Sequence, residues 1–563
     1  MSTLDEDRDT GAGVTGPDQR AADPGNGPGA RSRQAIARAG RRGRTALAGF
    51  PGMARRHWLF ASALGFGAVV RVVALAGFTP GLFKLDTYDY LWDANHLTPN
   101  PVNPSGYAVF LWLLRPFHSL TLVAALQHLM GLAIAVMVYA VLRRRGVRSW
   151  LAVLAVVPVL VDPAQLLIEH LVMADIVAMF LMVAAFAVVL VRRSPSPPRA
   201  ATAALLMGAS AVVRPTTLPL IALLAVYLLV IRSGWRTAVA ALAAGLLPVA
   251  GYVAWFAAAT GTVGLTRSDG LFLWSRTMSF ADCSVIRPPA DLSALCPDRQ
   301  PGDLAQPVAS LRPLPKRYLW NKDAWQWQPR THGIVPNTAA FTPANNARAR
   351  DFAIRAITAQ PLAFARVVAD GAAQPFISTN QLRFPGMAPR TIRINAANRR
   401  YMLAAVRGYA GTADGIAPYL GQQLSTRLVQ PYAGLIQRYQ DWIYLPGKLF
   451  GMVLLVGLGG IGYRRTRTAA GALAWVAAAV VFVLPVAEHE YTYRYVIPAV
   501  PLACLAAALT LRDRSQDALG QPPHPDVPPA AIPVEQAPAG TLTPATRAVP
   551  ASPAAPLGDP AQA

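Results

Sequence analysis

The run WLFASALGFGAVVRVVALAGF, Trp58–Phe78, is followed after the short link TPGLFK by LDTYDYLWDANH, Leu85–His96, and these two stretches decide the fold. The first is apolar enough and long enough to cross a bilayer, whose hydrocarbon core takes about 20 residues of helix. The second places Asp86, Asp89 and Asp93, with Tyr90 between them, just where that helix emerges. Acids in such a place are either ordinary interfacial polarity or the edge of a reaction site at the membrane surface. Asp93 reads as a solvating residue of this first outer loop, Asp86 and Asp89 as candidates for chemistry.

Composition agrees with the first stretch. Hydrophobic residues make up 53% and charged residues 14% of the 563, with a mean hydropathy of +0.32, which suits a multi-span membrane protein and not a soluble one. The formal charge of +23 sits largely in short arginine clusters between apolar runs, so it argues for membrane topology and against a nucleic-acid partner.

Further apolar runs fall near 120–142, 149–162, 170–191, 200–213, 215–231, 236–259, 445–463, 469–487 and 492–511. With the first, they predict an all-α polytopic protein of about ten transmembrane helices. Ser105–Phe117, bounded by Pro104 and Pro116, reads as an interfacial or re-entrant helix. Residues 1–56 are rich in Gly, Pro, Ala and Arg and predict a disordered basic tail; its arginines suit anionic lipid. Residues 512–563 predict a second disordered, Pro/Ala-rich tail. Between the tails lie an N-terminal transmembrane module, 57–259, whose first outer loop is 79–118, an extracytoplasmic segment, 260–443, and C-terminal helices, 444–511.

Arginine sets the orientation. With the N-terminus cytoplasmic, the basic loops Arg143–Arg148, Arg192–Arg199, Arg232–Arg236, Arg464–Arg467 and the tail from Arg512 all fall inside, and both termini are cytoplasmic. The Asp86 loop, Asp162–Asp175, the Arg214 turn, 260–443 and Glu488–Arg494 then share the outer face. The acid and histidine chemistry is therefore concentrated there, as in a plasma-membrane protein acting outside the cytoplasm.

In the outer segment Cys283 and Cys296 are spaced for a small closed loop, which an oxidising exterior lets pair. Asn345–Phe376 carries apolar residues at helical spacing around Pro361, predicting a bent amphipathic helix on the membrane surface. Cys504 reads as a packing residue.

Each remaining motif has a functional and a plain reading. Gly457, Gly459 and Gly462 match GxGxxG but lie inside an apolar run with no preceding strand, so close helix packing explains them better than a dinucleotide. Glu169, His170 and Asp175, in LLIEHLVMAD, read as residues lining a polar cavity. Asp175 is expected about a turn and a half inside its span, where an acid needs a polar partner, Arg71 being one option. Arg214, in VVRPTTLP, and Arg494, in EHEYTYRYVIPAVP, could grip a phosphate in bidentate fashion or merely snorkel. Glu488, His489 and Glu490 could hold a metal with Asp86, and Glu488 is also a substrate-binding candidate. No fixed metal-ligand spacing is present, so no metal ligand is assigned, while a divalent cation stays open.

These motifs together resemble the GT-C membrane glycosyltransferases, and within them the bacterial branch related to protein O-mannosyltransferases and lipid A aminoarabinose transferases. LDTYDY after the first span, LLIEHLVMAD opening a later one, DFAIRAITAQPLAF in the outer segment and the terminal RYVIPAVP carry the resemblance, over about residues 57–512. It implies a GT-C arrangement with outer juxtamembrane helices and a small extracytoplasmic domain. It also implies a polyprenyl-phosphate sugar donor, a glycan, lipid or protein acceptor, and a first-loop Asp as the catalytic residue, matched by Asp86. Thr87 stands where relatives often have Glu, which leaves Asp89 as a rival. The function expected is transfer of a sugar to a cell-envelope acceptor, with that Asp as general base. The rival classes are a transporter or flippase of lipid-linked sugars, marked by polar residues near the midplane and broken helices in matching halves, and a non-enzymatic envelope scaffold.

Overall fold

A computed structural model describes residues 57–297, 315, 319, 341–377, 382–385, 391–393, 425–463 and 466–512. The expected tails, 1–56 and 512–563 apart from Arg512, lie outside the described residues, as does Arg464 of the last basic loop.

The first run forms the helix Trp58–Gly77. It ends where Phe78–Thr79 turns extended and pairs antiparallel with Ser425–Leu428, which pairs on its other side with Thr391–Arg393. The acid-bearing stretch of the first loop is itself a helix, Leu85–His96. Its start is closed locally: the Lys84 N–H donates to Thr87 Oγ1 at 3.0 Å and the Thr87 N–H to the Lys84 carbonyl at 3.0 Å. Helical spacing then brings Asp86, Asp89, Tyr90 and Asp93 towards one face. Gly106–Leu114 follows as the expected short helix.

The apolar runs become the helices Leu120–Arg144, Ser149–Val161, Asp175–Leu190, Pro197–Val213, Pro219–Val230, Trp235–Thr260, Gly447–Gly462, Ala469–Glu488 and the stretch Tyr493–Thr510. The chain is an all-α polytopic membrane protein. Large apolar side chains such as Val72, Leu247 and Leu455 stand exposed on the flanks of the spans, which water would not tolerate in such number and lipid does.

Fewer helices than ten cross unaided. Five of the described helices are long and apolar enough alone, and up to eight if each bent pair counts as one span. The difference has local causes. Asp162 and Pro163 end one helix and begin Pro163–His170 at an angle of 51°. Leu171 is extended and bridges Leu82, and a bend follows, so the run 170–191 starts its helix only at Asp175.

Two of the basic loops meet at one end of the bundle. Arg145 donates to the carbonyls of Leu190 and Arg192, tying two basic loops together, and His57 Nδ1 lies 2.8 Å from Tyr139 Oη at the same end. Asp86, Asp175, Arg214 and Arg494 meet at the opposite end. Of the GxGxxG glycines only Gly457 is closely packed, a Cβ there lying 2.8 Å from Trp475 Cδ1, while Gly459 and Gly462 face open space; the tightest approach in this helix is at Gly460, outside the pattern, 1.9 Å from Thr510 Oγ1.

Leu271, Trp274, Phe280, Leu295, Phe352 and their neighbours form a second apolar core, separate from that of the spans. It is framed by Asp269–Thr277 and by Pro343–Ala359, which breaks at Gln360 into Pro361–Ile377 with a bend of 100°, as the pattern around Pro361 predicts. Cys283 and Cys296 are joined, with Cα atoms 6.1 Å apart. Replacing both by serine should destabilise this core by about 3 kcal/mol through the freed loop, measured as faster limited proteolysis in the segment with the spans unaffected.

Candidate active site

Four charged side chains converge from distant parts of the chain. Asp86 stands in the first turn of Leu85–His96 and Asp175 in the first turn of Asp175–Leu190, both at helix N-termini that favour a carboxylate. Arg214 ends Pro197–Val213, and Arg494 lies in the 3-10 turn Tyr493–Tyr495 that opens the last span. Arg214 Nη1 donates to Asp175 Oδ1. Arg494 bridges the two acids, its Nε 3.6 Å from Asp175 Oδ1 and its Nη1 3.5 Å from Asp86 Oδ2. Both guanidinium groups lie over the Tyr495 ring, at 5.3 and 5.5 Å from its centroid.

Burial separates the two acids. The Asp175 side chain is 1% exposed and that of Asp86 34%. Asp175 therefore orders the arginines, while Asp86 keeps an open side. Asp175 Oδ2 and Arg494 Nε are buried without a hydrogen-bond partner. Lys84 adds a third cation; desolvation and the nearby Arg494 charge hold its ammonium below the usual lysine value. Burial, then Asp86, push the Tyr90 phenol above its ordinary value, so it stays neutral. Arg214, Arg494 and Lys84 thus gather around Asp86 and Asp175, with Glu488 within electrostatic reach of Arg214. Beside them opens a narrow cleft lined by Asp175, Arg214 and Tyr495 at its polar side and by Met179, Met182 and Val481 at its apolar side.

The other sequence candidates lie elsewhere or carry corrections. Asp175 is the first residue of its helix and not a turn and a half inside it, because the extended Leu171 and the bend after it delay the helix. Its partners are Arg214 and Arg494; Arg71 pairs instead with Glu169. Glu169 and His170 are fully buried in a separate web and do not reach the Asp86 group. Glu169 accepts from Arg71 Nε at 2.8 Å and Nη2 at 2.7 Å and from Gln165 Nε2 at 2.8 Å, and His128 Nδ1 lies 2.8 Å away. Asp93 is not a solvating loop residue: it is 1% exposed on the inner length of its helix. Asp89 is half-buried. Glu488 is half-buried at the end of its span, within electrostatic reach of Arg214. His489 Nδ1 lies 3.1 Å from Ser275 Oγ, which joins this turn to the second core. Among the described residues no group of three His, Cys, Asp or Glu side chains could hold a metal.

Lys84 and Tyr495 join the site without having been singled out in the sequence. Their signal was adjacency: Lys84 lies two residues before Asp86, and Tyr495 follows Arg494.

A family model described as dolichyl-phosphate-mannose-protein mannosyltransferase matches residues 114–213. The chain resembles the GT-C glycosyltransferases. The matched stretch is less than a fifth of the chain; it holds Glu169, His170 and Asp175 and stops one residue short of Arg214. No curated protein and no solved structure matches the chain significantly. The match and the apolar helices together support a membrane glycosyltransferase.

Proposed function

We propose that the chain transfers a sugar from a polyprenyl-phosphate donor to a hydroxyl of a cell-envelope glycan, lipid or protein, on the outer side of the plasma membrane, with both termini in the cytoplasm. The observation that carries this reading is the meeting of Asp86, Asp175, Arg214 and Arg494 at one end of the bundle, beside a cleft polar on one side and apolar on the other. A lipid phosphate has that same division.

Arg214, Arg494 and Lys84 hold the phosphate. Asp175 keeps the two arginines in place. Asp86 takes the proton of the acceptor hydroxyl; Asp89, one turn along the helix, is the alternative base. The acceptor oxygen forms a bond to the anomeric carbon as the bond from that carbon to the phosphate oxygen breaks. Its electron pair stays on the phosphate, where the guanidinium groups stabilise the added charge. The open side of Asp86 is where the acceptor enters.

The purified protein in lipid nanodiscs, given polyprenyl-phosphate sugars and a membrane extract as acceptor, should release free polyprenyl phosphate. Translocation of an intact lipid-linked sugar in vesicles, with no release, would instead mark a transporter.

A further inference from the structure

The buried web around Glu169 contains a hydrogen-bonded chain whose protons can be counted. His170 Nε2 lies 2.7 Å from the Phe78 carbonyl, which can only accept, so Nε2 carries a hydrogen. His170 Nδ1 lies 3.0 Å from His128 Nε2, and His128 Nδ1 lies 2.8 Å from Glu169 Oε2. Three hydrogen bonds in series need three protons. Two neutral imidazoles supply one N–H each, and an ionised carboxylate supplies none. With only two protons, one contact would set lone pair against lone pair at hydrogen-bond distance among side chains that are buried from solvent.

The third proton has two possible homes, the histidine pair or Glu169. Glu169 accepts both arms of the Arg71 fork and the Gln165 amide, and the Arg71 charge favours the ionised carboxylate. Burial by itself opposes a charged imidazole. Two features offset it. The Glu169 carboxylate touches His128 directly, and Arg71, the other charge facing the pair, spends its remaining N–H groups on the carbonyls of Gly67, Leu160 and Val159, at 3.0, 2.8 and 3.0 Å. Val159 and Leu160 lie in the last turn of Ser149–Val161, the negative end of that helix dipole.

We propose that the His128–His170 pair carries one positive charge at neutral pH and is a positioning pair for the two acids of the candidate active site. The residues around His170 connect to both. The Leu82 N–H donates to the His170 carbonyl at 3.1 Å and the Val172 N–H to the Leu82 carbonyl at 3.0 Å, while Thr87 Oγ1 donates to the Val172 carbonyl at 3.0 Å. Thr87 adjoins Asp86, and Val172 lies three residues before Asp175. Gln127 Nε2 closes the arrangement on the carbonyls of Glu169 and Leu171, both at 2.8 Å. The charged pair thus fixes the backbone from which Asp86 and Asp175 are presented, without touching substrate.

Histidine ring nitrogens labelled with 15N, read by NMR on the whole protein in nanodiscs at about pH 8.5, test the charge directly. That pH is about two units above the ordinary imidazole value of about 6.5. One imidazolium or shared-proton signal is expected, lost in His128→Gln; neutral rings throughout would overturn the proposal. The kinetic arm rests on the transferase reading. In folded His128→Gln, kcat should fall about tenfold with the donor KM within about twofold, as misplacement of reacting groups does. An unchanged kcat per folded molecule would reduce the pair to a stabilising contact. The spectrum needs no turnover, so failure of the transferase reading and failure of the charge assignment are distinguishable.

Discussion

Glu169→Leu is expected to destabilise the bundle by about 3–5 kcal/mol, because it leaves the Arg71 charge buried with no counter-ion. Arg71 is 2% exposed and Glu169 0%, so water cannot take over the lost contacts. The double substitution Arg71→Met with Glu169→Leu should recover much of the loss, since replacing a whole buried pair by apolar groups costs far less than breaking it. Reversible unfolding in bicelles measures both. The same web explains Gly131: a Cβ there would lie 1.9 Å from Glu169 Oε1, an atom held in place by Arg71 and Gln165. A loss for the single variant comparable to the double one would mean that the pair is not what holds these helices.

Arg494→Gln should lower kcat by about 10² to 10³, the usual cost of removing one donor aimed at developing negative charge. Arg494 spans Asp86 and Asp175, so the variant also loosens both acids, and Arg494→Lys should recover only part of the rate because a single ammonium cannot replace the fork. Steady-state release of polyprenyl phosphate reads the effect. A loss confined to donor KM would place Arg494 in ground-state binding alone.

Much of this was legible in the sequence. The apolar runs mark helix positions to within a few residues, because each must satisfy its own backbone in lipid. The bend at Pro361 and the Cys283–Cys296 pairing follow from local signals. Asp86, Asp175, Arg214 and Arg494 were each visible as charges at the mouth of a span, although nothing in the sequence says that they touch. Partner choice was not legible. Arg71 and Glu169 are 98 residues apart, and which acid meets Arg71 depends on how helices rotate as they pack. The delayed start at Asp175 was hidden for a similar reason: LVMAD has no helix breaker, and the interruption comes where Leu171 bridges Leu82. His128, inside an apolar run, gave no pattern at all until its partners were in view.

The measurement that bears most directly on the account is release of polyprenyl phosphate by wild-type protein, Asp86→Asn and Asp89→Asn, side by side in nanodiscs. Asp86→Asn should lose about 10² to 10⁴ in kcat as the general base is removed, with Asp89→Asn much closer to wild type. Full activity in both variants would contradict the assignment of the base and, with it, the reading of this end of the bundle as a site of transfer.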